Sequence, residues 1–314
     1  MGFHVMGVTA GRKDSNCEIL LKEALLACQE QGAQVRMINL KDYDILDCDG
    51  CTSCTIGMSM GKNVGCPLDK KDDKKKIMDV MLEQDAVIFA APTYDLMPSS
   101  LFLKFMHRNL AYESAFLTKI GAIAPRDRVG GLIAVGGSTR SWQSMALECM
   151  QATTFTNSFK IVDMYMDTQA PAPAQVLLHE EKIARAREMG ENIMKALNTP
   201  VAERKWLGDP DYGWCPNCHS NALCLGEPQW KGLHYPIECV VCGAGGTLEQ
   251  TEDGRWKFVI AENGLERDRT TEEGRGVHCD EIAETQGGFF MDPAKRQLVA
   301  ERLPKYKNIQ FPGI

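Results

Sequence analysis

"DAVIFAAPTYDLMPSSLFLKFMHR", residues 85–108, carries the signal that sets the fold. From Ala86 to Pro92 the chain has no polar side chain. An apolar run this short reads as a strand buried on both faces, as parallel sheets require. Pro92 and Pro98 stiffen the loop that follows, and "SSLFLKFMHRNL" (99–110) returns to helical periodicity. Strand, loop and helix together form the repeating unit of an α/β sheet.

The same unit recurs on both sides. Upstream, "FHVMGV" (3–8) is a first strand and "TAGRKDSN" (9–16) a polar turn. A helix follows from about Cys17 to Gln31, with Leu21, Ala24, Leu25 and Cys28 on one face, and "AQVRMINL" (33–40) is a second strand. "DDKKKIMDVMLEQ" (72–84) reads as a helix. Downstream come a strand (128–137), a helix (142–155), a fifth strand (160–166) and a long amphipathic helix (177–197). Five alternations predict a doubly wound five-stranded parallel sheet with helices on both faces. Periodicity does not set the strand order.

Near residue 200 the composition changes. "NTPVAERKWLGDPDYG" (198–213) is a linker, helical periodicity fades, and glycines and short β-like runs such as "KFVIA" take over. This predicts two domains, 1–200 and a small β-rich metal-binding domain 201–314. The chain's net charge of −7 argues against nucleic-acid and anionic-membrane partners. No apolar run reaches the roughly 18–20 residues of a membrane span, and the N-terminus lacks a basic leader, so a cytoplasmic protein is expected. Thirteen cysteines in such a chain point to metal or redox chemistry rather than disulfides.

Ligands of open α/β sheets sit beyond the carboxyl ends of the strands. Three loops lie at that edge. "TAGRKDSN" opens a helix N-terminus beside Arg12, which suits a phosphate group, with Ser15 or Asn16 as N-cap. It is neither a GxGxxG nor a Walker A motif, so dinucleotides are not favoured. "APTYDLMPSS" (91–100) offers Thr93 and Tyr94. "VGGSTRSWQ" (135–143) offers Gly136 and Gly137, where a flat ring can approach the backbone. Each loop alone fits ordinary turn chemistry; together they describe a slot for a phosphorylated planar ring.

These three loops resemble the NADPH-dependent FMN reductase branch of the flavodoxin-like superfamily, and in particular the iron–sulfur flavoproteins, over residues 3–197. The resemblance implies FMN, with its phosphate on Thr9, Arg12, Ser15, Asn16 and the Cys17 amide. Pro92, Thr93, Tyr94 and Leu96 would flank the isoalloxazine, with Gly136, Gly137 and Ser138 on its other edge. Ala10 stands where the family usually has a serine, and His107 where it usually has an aspartate; His107 is expected to be neutral in effect.

"DCDGCTSCTIGMSMGKNVGC" (47–66) follows the second strand, at the same sheet edge, within a turn-rich loop 47–67. The family carries a CxxCxxC plus a fourth cysteine there. The resemblance therefore implies a 4Fe-4S cluster on Cys48, Cys51, Cys54 and Cys66, with a zinc site or metal-free thiols as alternatives. The gap before Cys66 is longer than the family's usual one. Two further CxxC pairs, Cys215/Cys218 and Cys239/Cys242, have structural zinc spacing, and rubredoxin-type iron fits the same knuckles. The region 201–314 has 13 basic and 18 acidic residues, so a nucleic-acid ribbon is not expected. "KKDDKKK" (70–76) reads as a solvated helix start, and His219 and Cys224 as neighbours of the first knuckle rather than ligands.

The expected function is a flavin- and iron–sulfur-dependent oxidoreductase. It would pass electrons from NAD(P)H or a ferredoxin-like donor to an unidentified acceptor, as a homo-oligomer. Two alternatives stay open: an electron carrier that docks its partner through the ribbon, and a cluster-free NAD(P)H:FMN or quinone reductase.

Overall fold

The computed structural model describes residues 2–226 and 232–313. Elements run in the order β1 (His4–Thr9), α1 (Asn16–Glu30), β2 (Gln34–Asn39), α2 (Ser53–Ser59), α3 (Lys74–Met81), β3 (Ala86–Tyr94), β4 (Met97–Pro98) and α4 (Ser100–Met106). They continue with α5 (Ser114–Lys119), β5 (Arg128–Val135), α6 (Ala146–Thr154), β6 (Phe159–Asp167) and α7 (Glu180–Leu197). The main sheet has the order β2-β1-β3-β5-β6, all parallel, and β4 folds back antiparallel on the end of β3. Chain direction reverses between β2-β1 and β3-β5-β6. The crevice at the carboxyl ends of β1 and β3 is therefore the topological switch point.

β3 shows why this sheet must be covered twice. Ala86, Ile88 and Ala90 face α1 and α7, together with Leu21, Ala24, Met189 and Ile193. Val87, Phe89 and Ala91 face α3, α4 and α6, together with Ile77, Phe102, Phe105 and Leu147. Phe89 meets Phe102 and Phe159 edge-on at 6.0 and 5.8 Å. On the first face α1 and α7 cross closely at Gly190, where a Cβ would stand 2.1 Å from the Ala24 carbonyl oxygen.

Beyond residue 200 a second, antiparallel sheet has the order β10 (Trp256–Ile260), β9 (Gly245–Gln250), β8 (Ile237–Cys239) and β7 (Leu223–Leu225). The fading of helical periodicity does not hold to the end. α8 (Glu272–Phe290) and α9 (Pro293–Lys307) follow the sheet. α8 contains four glycines and α9 buries no side chain, so neither prints an apolar stripe. Their caps are legible: Thr271 accepts the Gly274 amide at 3.0 Å, and Asp292 precedes Pro293 and accepts the Ala294 and Lys295 amides. α8 packs on α2 and α5 through Cys279, Ile282, Met58, Phe116 and Leu117. Arg275 pairs with Glu113, and Lys119 with Asp280. Among the described residues no helix is long and apolar enough to cross a membrane.

Candidate functional site

At the switch point lies a cavity of about 460 Å³. Gly11, Arg12, Ser15, Asn16 and Cys17 line one end, Pro92, Thr93 and Tyr94 a side, and Gly136 and Gly137 the opposite side. Ser15 caps α1, its Oγ accepting from the Glu18 amide at 3.3 Å. The Asn16 and Cys17 amides open the helix and have no intrahelical acceptor, as at every α-helix start. With the exposed Arg12 beside them, they make an end of the cavity suited to an anion.

Two of the expected phosphate residues have side chains bonded within the protein. Thr9 is fully buried beneath the loop and its Oγ1 accepts from the Gly11 amide at 3.1 Å. Asn16 donates to the Ala170 and Ala172 carbonyls, both at 2.9 Å, and accepts from the Val176 amide at 3.2 Å. It thereby pins the segment 170–173, which forms a wall of the cavity. That wall and Lys41, also at the cavity, escape the sequence reading. "QAPAPAQ" (169–175) leaves the fifth strand at the same sheet edge, and that position was its available signal. Gly136 and Gly137 have a packing reason as well. A Cβ at Gly136 would meet the Gln143 side chain at 2.3 Å, and one at Gly137 would meet Pro171 at 3.1 Å. Gln143 is itself locked, donating to Asp167 O at 3.0 Å and meeting Thr93 Oγ1 at 3.2 Å.

A second cavity, about 560 Å³, shares Thr93, Gly136 and Gly137 with the first and adds Asp95, Leu96, Ser138, Trp142 and Gln143. Its tip is the β3–β4 hairpin, in which Thr93 pairs with Pro98 and Tyr94 with Met97. Both turn residues are left-handed, Asp95 at φ 46° and Leu96 at φ 73°. A two-residue hairpin turn needs that geometry but normally takes Asn or Gly. A leucine there stores strain, about 1–3 kcal/mol by general experience of such outliers. Tyr94 and Trp142 stand 65% and 66% exposed.

Cys48, Cys51, Cys54 and Cys66 line one further cavity of about 200 Å³, with His107, Arg108 and Leu110. Cys48 and Cys51 are exposed, Cys54 and Cys66 half-buried. Burial pushes the Cys54 thiol up. His107 is thus at the cysteine cavity rather than on an idle helix face. The lysine-rich run beside it is a solvated helix start only in part: Lys70, Lys71, Lys75 and Lys76 are exposed, but Lys74 and the Asp72 carboxylate are not. Lys74 is fully buried, its Nζ donating to Phe105 O and Asn109 Oδ1, and Asp72 pairs with Arg108. Burial, with Arg108 nearby, holds the Lys74 ammonium well below its ordinary value.

The second quartet is built differently. Cys215, Cys218, Cys239 and Cys242 are all buried, and their sulfurs lie within 4.8 Å of one another. The Cys215–Cys242 and Cys218–Cys239 sulfurs are each 3.6 Å apart. Two matching turns present them: the His219 amide donates to Cys215 O, and the Gly243 amide to Cys239 O. Hydrogen bonds among the sulfurs push the Cys215 and Cys239 thiols down and those of Cys218 and Cys242 up. This donor set fits a single tetrahedral ion. His219 instead stacks on Trp206 at 4.2 Å, and Cys224 is exposed on β7. The quartet is also joined to the main domain. Phe155 packs against it, Gln151 donates to Cys218 O at 2.6 Å, and the Asn221 amide donates to Glu148 at 3.2 Å.

A family model described as NADPH-dependent FMN reductase matches residues 5–170. The chain is 27% identical over 278 residues to the flavone synthase cfoJ of Aspergillus candidus, covering 82% of each. It is 30% identical over 145 residues to an iron-sulfur flavoprotein of Methanocaldococcus jannaschii, covering 46% of this chain and 67% of that one. A solved structure titled flavone reductase superposes over 99% of both chains with a TM-score of 0.72 at 22% identity, a likeness of fold.

Proposed function

This chain belongs to the NADPH-dependent FMN reductase family, and on that premise we propose that it is a cytoplasmic FMN- and 4Fe-4S-dependent oxidoreductase with a planar aromatic ketone of the flavone class as acceptor. The donor is a reduced nicotinamide, or a ferredoxin-like protein acting one electron at a time. When bound, FMN supplies hydride or two-electron chemistry and a cluster supplies single-electron transfer.

The residues divide the work. Arg12 and the α1 amides hold the phosphate, with Thr9 and Asn16 shaping the loop around it. Pro92, Thr93, Tyr94 and Leu96 border the ring on one side, and Gly136, Gly137 and Ser138 on the other. Gln143 holds the glycine loop against β6 and keeps that edge rigid. Trp142 offers an aromatic face to the acceptor. Cys48, Cys51, Cys54 and Cys66 hold the cluster, and the buried quartet holds zinc.

One observation carries this reading: the two large cavities share Thr93, Gly136 and Gly137, so a ring seated in the first borders the second. The flavone class is supported by relatives named for flavones that span both parts of this chain. The test begins with heat-released cofactor, which should chromatograph as FMN. Protein reduced anaerobically with NADPH should then be reoxidised by a flavone. Trp142→Ala should slow that step about tenfold while FMN stays bound, the loss expected from one stacking contact of ~1–1.5 kcal/mol. Release of FAD, or a flavone rate equal to the buffer blank, would contradict the reading.

A further inference from the structure

The cysteine cavity has a wall that the cysteines do not explain. Arg108 lies just beyond α4 with its side chain 1% exposed, and it lines the cavity. Four of its contacts use the two Nη groups. Nη1 pairs with Asp72 and donates to Leu46 O at 3.3 Å; Nη2 meets Asp69 at 3.0 Å and Asp72 at 3.4 Å. Its remaining donor, Nε–H, is buried and has no hydrogen-bond partner. A guanidinium clamped on one edge, with its last N–H buried and unpaired at the wall of a thiol-lined cavity, is poised to donate to a sulfur placed beside it, because an unpaired buried donor is costly.

Two further features tie Arg108 to Cys66. Asp69 bridges the two residues, taking Arg108 on Oδ1 and the Cys66 amide on Oδ2 at 3.2 Å. Cys66 and Arg108 also line the same cavity. Lys74 braces the segment from behind through Phe105 O and Asn109. The network also accounts for the long gap before Cys66. That cysteine is carried by its own turn, Pro67–Lys70, and anchored to Arg108, so it does not depend on the spacing of the first three.

We propose that Arg108 is a positioning residue for the iron–sulfur cluster, fixing Cys66 as the fourth ligand and donating its Nε–H to the cluster's thiolate or sulfide. The inference rests on the cluster reading above. Such a hydrogen bond stabilises the more negative, reduced form and so raises the reduction potential, and partners of this kind typically change metal affinity 10–100-fold.

The test compares anaerobically prepared full-length wild type and Arg108→Lys, which keeps the charge but removes the guanidinium fork. Circular dichroism and FMN content should match. The lysine variant should load iron but lose it to a chelator about ten times faster, and its cluster should be reduced at a more negative potential. Because any Arg108 variant can disturb folding, a second measurement uses wild type alone. With ¹⁵N-arginine labelling, electron–nuclear spectroscopy of the reduced cluster should show an arginine-nitrogen coupling. Equal chelation rates and potentials in the two proteins, or no arginine coupling in the wild type, overturn the proposal while leaving the cluster in place. Wild type that holds no iron–sulfur cluster overturns the cluster reading and this proposal together.

Discussion

Cys215, Cys218, Cys239 and Cys242 are buried, with sulfurs packed within 4.8 Å of one another. Cys48, Cys51, Cys54 and Cys66 surround a cavity of about 200 Å³, and two of them face solvent. A single ion needs four donors at one point, and a chain that folds around such a point packs them together. A cube of iron and sulfide brings its own volume and holds its thiolates farther apart. On the proposed reading the hollow would hold such a cube, and order would come from groups behind the ligands: Arg108, Asp69, Asp72 and Lys74. On that reading, a metal held where the ligands converge would be part of the fold, and one held where they stand apart would be its guest.

The sharpest way to break this contrast is to remove one ligand from each quartet. Cys215→Ser or Cys239→Ser should unfold the ribbon, because structural zinc supplies an apparent ~10–16 kcal/mol in small modules. Limited proteolysis should then cut between residues 214 and 260, while the main sheet keeps FMN. Loss of FMN together with the metal would show that the ribbon, which docks on α6 through Gln151 and Glu148, also builds the flavin site. By contrast, Cys48→Ser, Cys51→Ser, Cys54→Ser or Cys66→Ser should leave the thermal transition nearly unchanged. Each should remove broad visible absorption and about four iron atoms per chain, with ribbon zinc retained.

A smaller effect separates flavin binding from both quartets. Arg12→Ala should weaken FMN about 10- to 100-fold, the range of a charge-assisted hydrogen bond of ~1.5–3 kcal/mol. Lys13→Ala, at an exposed position outside the cavity lining, should change little. Fluorescence titration of the apoprotein measures both, and equal losses would remove the phosphate assignment.

The smallest effect is in pH. Burial alone would raise the Asp72 carboxyl, but hydrogen bonds from Arg108 outweigh it and hold the group low. Its contribution is therefore fully present above the ordinary aspartate value of about 3.9 and is lost as pH falls through the lower folded value. Iron release should accelerate below about pH 4 in wild type. Asp72→Asn should release iron faster at neutral pH and flatten that acid limb; an unchanged limb would detach Asp72 from the cavity.

These contrasts also mark what the chain discloses about itself. β1, β3 and β5 print as apolar runs because both their faces are covered, and the slot is legible because its loops share one sheet edge. The cysteine spacings expose both quartets. The brace behind the first is not local: Arg108 and Asp72 stand 36 residues apart, and the run 70–76 that holds Asp72 and Lys74 looks solvated because charge pattern alone does not reveal pairing. α8 and α9 are hidden for the opposite reason, since they carry caps but no apolar stripe. The wall at 170–173 is held by Asn16 from 154 residues away, a partnership only the fold brings about.

The central claim, two quartets for two kinds of metal site, is tested most directly by counting iron, acid-labile sulfide and zinc per chain in anaerobically purified wild type. The account predicts about four iron, about four sulfide and about one zinc. Two zinc per chain with no labile sulfide would contradict it.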